Sequence, residues 1–512
     1  MKLFTPNIVA TKRGLEALSF NEQIATPVLR YDIESLILNG IENEDFRFII
    51  LTSFQICKAN LIEALLKMKD YHQQEDNKDK DKAWNVYGDY IEIWHDKNVK
   101  TTICSFEKKF MQDFTSVEQA KSLMETDTYF KPTCTQTAKA EFMETVTSSK
   151  NEFVNRWKFD KIFPQPEDKE FYEWKHAKEH VKAFMYLRKP GLYRNVYSYD
   201  IKSSFPAELY RSVFPQGQGR IENLPEKYWA IEKIRIERII PIVYDFLGLF
   251  DKFLENQRQP FNVYLTKELV DALHIFYDVE YQVLSIRTYK MQKSIFDMFI
   301  KNNLLVKDKP IRKYCKAKNN TFIGSFGAND EYPVYKYKLA GEYNDKVNAE
   351  LQWEKKDKKA YYPIYLYVNG SALVKICRIC QAYWPHIIYA NTDGIISDVP
   401  LELEFGFNCK FLNILGRVEL RQQYLEFAVK DISNYSAIFA DENGEIMQDV
   451  RLSGRTILEL PTHEQFIDGG FETMVLTRSD YGFIKPVMFM EQSLKYYELV
   501  WENRDIRRSL GE

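Results

Sequence analysis

The sequence predicts an α+β protein of several domains, and three observations lead there. At 512 residues the chain exceeds what one hydrophobic core ordinarily serves, so roughly two to four domains are expected. Apolar runs of strand type, such as Phe46–Leu51 and Ile387–Tyr389, are interspersed with runs of helical period such as Asn60–Leu66. Two strand-like runs end in a lone carboxylate, Asp200 and Asp393, with a dense run of cations between them.

Residues 1 to about 135 read as a mixed α/β unit. Val28–Ile33 and Phe46–Leu51 have strand character, and Glu75–Lys82 is a mixed-sign charged loop expected in solvent. Residues 136–290 connect to a central unit. Its strand ends at Asp200, and the stretch near 215–265 lacks a clear period and reads as an irregular insertion. Thr266 suits the N-cap of a helix over Lys267–His274. Residues 291–330 carry a basic helix, with Pro310 suited to its start and Gly324 to its stop or to close approach. Residues 331–410 hold the charged stretch Glu354–Lys359, an apolar helix and the Asp393 hairpin. Residues 411–512 read as a separate α+β module, and no internal repeat is evident.

Composition narrows the function classes. Hydrophobic content of 45% and aromatic content of 15% fit a folded chain rather than a disordered one. A net charge of −3 argues against an indiscriminate polyanion binder, yet Lys301–Lys318 sets seven basic residues against Asp308 alone. Seven cysteines form no disulfide framework, which fits a reducing compartment. Cys377 and Cys380 make a CxxC without a second pair at zinc-finger spacing, so they read as positions in a buried helix. Met1–Pro6 lacks the apolar run of a signal peptide and no stretch is long enough to span a membrane; a cytoplasmic protein is expected.

The two acids are suited to metal chemistry. Tyr197-Ser198-Tyr199-Asp200 ends a strand before Ser203, Ser204 and Pro206 turn the chain, so a rigid element presents the carboxylate. Asp393-Gly394 joins Ile387-Ile388-Tyr389 to Ile395-Ile396-Ser397, a strong hairpin signal. Read singly, each acid is a turn residue. Read together, they can hold two divalent ions roughly 3.5–4 Å apart. Between them, Arg312, Lys316 and Asn320 recur at a spacing of four, so a helix would stack them on one face. Arg offers a planar fork and Lys a point charge, which together suit phosphate.

These segments resemble the A, B and C motifs of family B DNA polymerases, especially the protein-primed subgroup of bacteriophages and linear plasmids. Asp200–Pro206 resembles DxxSLYP, Lys316–Gly324 resembles KxxxNSxYG, and Tyr389–Gly394 resembles YxDTDS. The similarity runs from about residue 135 to the C-terminus. It implies a right-hand polymerase, with palm strands carrying Asp200 and Asp393, helical fingers at 291–330 and a thumb at 411–512. It implies an RNase H-like exonuclease-type domain ahead of them. By the same resemblance, Asp200 and Asp393 bind two Mg2+ (or Mn2+) ions and catalyse. Arg312, Lys316, Asn320, Phe205 and Ile201 line the deoxynucleoside triphosphate site, Phe205 excluding a ribose 2′-hydroxyl. Tyr435, Lys430, Gly324 and Thr392 contact DNA. The implied partners are primer and template DNA and a terminal protein, with the polymerase a monomer.

Several positions depart from the pattern. Asn391 stands where the first motif C aspartate is usual, and Ile323 replaces a tyrosine. Ser433-Asn434-Tyr435 keeps only the tyrosine of Lys-x-Tyr, with Lys430 as a substitute cation. Tyr186–Gly191 lies where Tyr-x-Gly-Gly is expected. Asp32 and Glu34 resemble the first exonuclease motif, but the other two are missing, so that domain is expected to be degenerate. A reverse transcriptase is the weaker alternative, because Thr392 separates Asn391 from Asp393. A retired polymerase fold serving as a nucleic-acid-binding scaffold is the alternative from another class.

Overall fold

The sheets and helices of this chain pack where their apolar faces meet. The chain is described here from a computed structural model covering residues 8–11, 14–17, 46–51, 54–74, 80–87, 90–105, 134–148, 162–210, 213–221, 228–242, 244–306, 309–339, 347–356, 358–402, 415–453, 455–457, 460–478 and 484–509. The expected strand at Val28–Ile33 lies outside them, as do Asp32, Glu34 and most of the Glu75–Lys82 loop.

In the N-terminal unit, Phe46–Leu51 forms a strand as its pattern predicts, and lies parallel to Lys100–Ser105 in a seven-stranded mixed sheet. Helix Phe54–Lys67 buries Leu61, Ile62 and Leu65 against Trp84, Ile91, Ile93 and Ile103 of that sheet. The same cluster includes Tyr337 and Val347 from the long hairpin Glu331–Leu339/Val347–Lys355. Gln73 fixes this docking: its amide donates to the Tyr335 carbonyl at 2.7 Å and accepts from the Tyr337 amide at 2.8 Å.

The central sheet also has seven strands. Their order is Ile446–Leu452, Asn434–Ala440, Val418–Asp431, Gly191–Ile201, Gly394–Ser397, Ile387–Asn391 and Met185–Leu187. This corrects the expected boundary at 411. Val418–Asp431 pairs along most of Gly191–Ile201, so three strands of the supposed separate module continue the central sheet. A smaller three-stranded sheet and two helices, His463–Asp468 and Leu494–Ser509, follow them.

A second correction concerns the stretch near 215–265. It is regular: Val213–Ile221, Tyr277–Lys293, Tyr228–Pro241 and Phe261–Thr266 form a four-stranded antiparallel sheet. Bulges between Lys233 and Ile234 and between Ile236 and Arg238 explain the missed signal. The buried residues of Tyr228–Pro241 run unbroken from Trp229 to Glu232 and continue at Ile234, Ile236 and Ile239, which breaks the period of two.

The expected helix after Thr266 spans Lys267–Phe276, although the Thr266 side chain makes no capping bond. The basic helix spans Lys309–Ser325 and the cysteine helix Tyr362–Ala382. Cys377 and Cys380 are buried in the main core, which pushes both thiols well above their usual range. Such thiols are structural.

Candidate active site

Strand register brings the two acids together. Asp200, near the end of Gly191–Ile201, lies opposite Gly394 of the neighbouring strand, and the Ile201 amide donates to the Asp393 carbonyl at 2.9 Å. Across the other edge of the same strand, Asp200 faces Glu419. Residues 193 positions apart in sequence therefore meet because Gly191–Ile201 is the middle strand of seven.

Both acids border strained turns. The hairpin turns at Thr392 and Asp393, and its positive φ of 61° falls on Thr392 rather than on Gly394. The dipeptide that signals the hairpin, Asp393-Gly394, is thus not where the positive φ falls. A β-branched residue is a true outlier in that region. Thr392 is held there by its amide, which donates to the Phe184 carbonyl at 2.8 Å, and by its hydroxyl, which donates to Asn391 Oδ1 at 3.0 Å. After Asp200, Ser203 takes φ 51° and starts the short helix Ser204–Leu209, which carries Phe205. Phe205 is only partly buried, packed on the main core; Ile201 is fully buried, so the expectation that its side chain lines the nucleotide site is corrected. Strain of about 1–3 kcal/mol per such residue persists where the surroundings over-determine it, characteristically at functional sites.

The basic helix faces this pair. Arg312, Lys316, Asn320 and Gly324 all lie on its exposed face, while Tyr314, Cys315, Lys318, Asn319, Phe322 and Ile323 are buried. Lys316 is close enough for its charge to act on both carboxylates. Burial pushes Asp393 up to about 6, with the Asp200 charge adding to it and Lys316 and Arg451 opposing. Burial also raises Asp200, against Lys316 and Arg421 and with Glu419.

The helix is anchored from behind. Lys318 Nζ donates to Glu141 Oε2 at 2.7 Å, and Asn303 Nδ2 donates to Glu141 Oε1 at 3.0 Å. Phe322 packs on Phe142, Phe296, Phe299 and Phe326. Ile323, where the motif has tyrosine, belongs to that core. A Cβ on Gly324 would meet nothing within 4 Å, so the chain's own packing does not require glycine there.

Other motif residues sit less simply. Asn391 Nδ2 donates to the Tyr389 hydroxyl and the Ile432 carbonyl, each at 3.2 Å. An aspartate could not make those donations. Tyr435 is buried among Tyr389 and Phe427, and its hydroxyl donates to Asp449 Oδ2 at 3.3 Å. The assignment of Lys430 to DNA is corrected: it is 1% exposed, donates to the Gln492 carbonyl at 2.5 Å and is covered by Phe466, Phe471 and Tyr497. Its charge serves the C-terminal packing.

Sequence reasoning missed Glu419, Arg421, Lys202 and Arg451. Lys202 donates to Glu419 at 3.4 Å, and the charges of Arg421 and Arg451 reach Asp200 and Asp393 respectively. The alternation Glu419, Arg421, Gln423 on a strand was the available signal, but its partner strand is set by register.

Among the described residues no three His, Cys, Asp or Glu side chains converge into a ready-made cage. Two half-buried carboxylates fit Mg2+ or Mn2+ well, since hard oxygen donors suit such ions. Mg2+ is commonly bound by one or two carboxylates together with substrate phosphates and water. No described helix is long and apolar enough to cross a membrane.

No family model matches the chain, and no curated protein matches it in sequence. Its fold, however, is similar to that of Phi29 DNA polymerase complexed with single-stranded DNA (TM-score 0.70, 15% identity, 96% of this chain and 100% of the other). The same polymerase complexed with primer-template DNA and incoming nucleotide substrates gives 0.69 at 16% identity, with 96% and 100% covered. Its orthorhombic crystal form gives 0.67 at 16% identity, with 95% and 99% covered. The right-hand α+β polymerase fold expected from the motifs is therefore the fold of nearly the whole chain.

Proposed function

We propose that this chain is a DNA-directed DNA polymerase, adding deoxynucleotides to a primer 3′-hydroxyl. One observation carries this: Asp200 and Asp393 meet on adjacent strands with Lys316 of the basic helix acting on both. The fold likeness to a DNA polymerase supports it.

Asp200 and Asp393 would hold two Mg2+ or Mn2+ ions, which supply activation of the attacking hydroxyl and neutralisation of the triphosphate. The remaining tasks fall to the chain. Arg312 and Lys316 grip the triphosphate, fork and point charge side by side on one helix face. Asn320 lines the same face. Gly324, open on that face, admits close approach of the nascent pair or its backbone. Phe205, partly exposed beside the Asp200 strand, blocks a 2′-hydroxyl; Ile201 supports the site from within the core. Thr392 and Tyr435 position the primer end, the latter indirectly through its packing on Tyr389. The Asn391 bonds give that residue a structural role, so Asp393 serves as the hairpin's only metal ligand.

The same reading extends to biology. Synthesis is protein-primed, in replication of a viral or plasmid genome. The stretches near residues 215–265 and 330–360 meet the terminal protein and the template. The polymerase acts as a monomer in the cytoplasm, and 3′–5′ exonuclease activity is absent or impaired.

Purified protein with primer-template, Mg2+ or Mn2+ and deoxy- or ribonucleotides tests the core of this. Extension is expected with deoxynucleotides and lost in Asp200→Ala and Asp393→Ala. No extension under any condition leaves only a nucleic-acid-binding scaffold. Extension indifferent to both substitutions removes the site assignment. A 3′-labelled single strand in the same buffer should stay intact.

A further inference from the structure

A cavity lies on the four-stranded sheet and takes no part in the chemistry above. Its volume is about 230 Å³ and it is open to solvent. Helix Asp168–Lys178, the edge strand Phe261–Thr266 and helix Leu249–Glu255 contribute its walls. These are rigid elements, which is how precise binding sites are built.

Its lining is aromatic and cationic. Phe171, Trp174 and Ala177 fix the inner face of helix Asp168–Lys178 in the core, leaving Tyr172 and His176 on the outer face. Tyr172 is 54% exposed, so it does little for the fold. Its ring meets His176 at 4.2 Å and stands nearly perpendicular to Tyr264, 6.1 Å away; His176 and Tyr264 lie within 26° of parallel. Lys233 is the cross-strand partner of Tyr264 and holds its ammonium 5.6 Å above that ring.

Lys252 stands on the opposite wall, 3.4 Å from both Glu179 and His180 Nε2. Glu179 does not turn the pocket acidic, because it is paired with Lys252 and lies 3.1 Å from His176 Nδ1. Burial and the Lys252 charge lower His180 to about 4, so it stays neutral. Asn262 adds an amide at the rim, able both to donate and to accept. Rings to stack on, two ammonium groups and one amide edge describe the chemistry of a nucleotide.

We propose that this pocket binds one nucleotide, its base laid on the ring of Tyr172 with Tyr264 against its edge, and its phosphate held by Lys233. The nucleotide is either one residue of a single strand or a free mononucleotide. The pocket is independent of the Asp200–Asp393 chemistry, and a polymerase fold without activity could carry it equally.

Photocrosslinking tests it on the full chain, with an oligothymidylate carrying 4-thiothymidine and, separately, 4-thio-dTMP, followed by peptide mapping. Adducts are expected on Tyr172, His176 or Tyr264; those on His176 and Tyr264 should fall at least about fivefold in Tyr172→Ala, roughly the worth of stacking one base, and in Lys233→Gln, roughly the worth of one charged contact to phosphate. Circular dichroism and melting of both variants should match the parent. Loss of the adduct to excess dTMP identifies a free-nucleotide site; loss only to unlabelled oligothymidylate identifies a strand contact. No adduct in the pocket with either probe, or adducts undiminished in both variants, overturns the proposal. Primer extension run beside it separates the two ideas: a missing adduct with intact extension sinks the pocket alone, and a retained adduct without extension sinks the polymerase alone.

Discussion

Replacing Asp393 with asparagine should strengthen the metal-free fold while abolishing extension. Asp393 is pushed from 3.8 to about 6 by burial and by Asp200. A shift of about two units corresponds to about 3 kcal/mol. The side chain still touches solvent, so screening reduces this to about 1–2 kcal/mol. The sign follows from proton binding. The folded state holds the proton more tightly than the unfolded chain, so the contribution to stability is fully present below about 3.8 and is lost as pH rises through about 6. Asparagine never ionises and escapes that loss. In EDTA at pH 8, Asp393→Asn should therefore melt about 2–8 °C above the parent, at about 2–4 °C per kcal/mol for a domain of roughly 150–250 residues. At pH 4 the two should coincide. Mg2+ should raise the melting temperature of the parent, which offers it two carboxylates, and leave the variant nearly unmoved. A variant that melts level with or below the parent at pH 8, or a difference that does not change with pH, would refute the account of the carboxylates as a repelling, buried pair.

Three further outcomes are expected. Lys316→Ala should lower kcat/KM for deoxynucleotides about 10- to 150-fold, the worth of one charged hydrogen bond of about 1.5–3 kcal/mol, and steady-state kinetics checks it. Phe205→Val should raise incorporation of ribonucleotides relative to deoxynucleotides in competition assays while leaving extension on deoxynucleotides largely intact. Lys318→Met should destabilise by about 3–5 kcal/mol in denaturant unfolding, because it leaves the Glu141 carboxylate buried without its cation; the pair Lys318→Met with Glu141→Leu should recover most of that loss.

Much of this molecule was legible because short motifs encode local chemistry. The strand ending at Asp200, the hairpin at Asp393 and the helix face of Arg312, Lys316 and Asn320 each depend on neighbours in sequence, and each was found there. The sheet over residues 213–293 was missed because two bulges shift its apolar residues out of alternation, and a bulge is set by the partner strand. Lys430 was misassigned for a related reason. It was chosen as the nearest cation to stand in for the missing lysine of Lys-x-Tyr, and only the folded chain closes Phe466, Phe471 and Tyr497 over it.

The sequence by itself determined which groups could do chemistry: two acids at strand ends, a cationic helix face and an aromatic after the first acid. Those are properties of side-chain type and local period. Only the tertiary structure decided that the acids meet, that Glu419 joins Asp200 across the other edge of the strand, and that Asn391 is held by a carbonyl of a distant turn. Strand pairing sets those neighbours. A register slip of one residue would turn Asp200 to the other face of the sheet with every local motif unchanged.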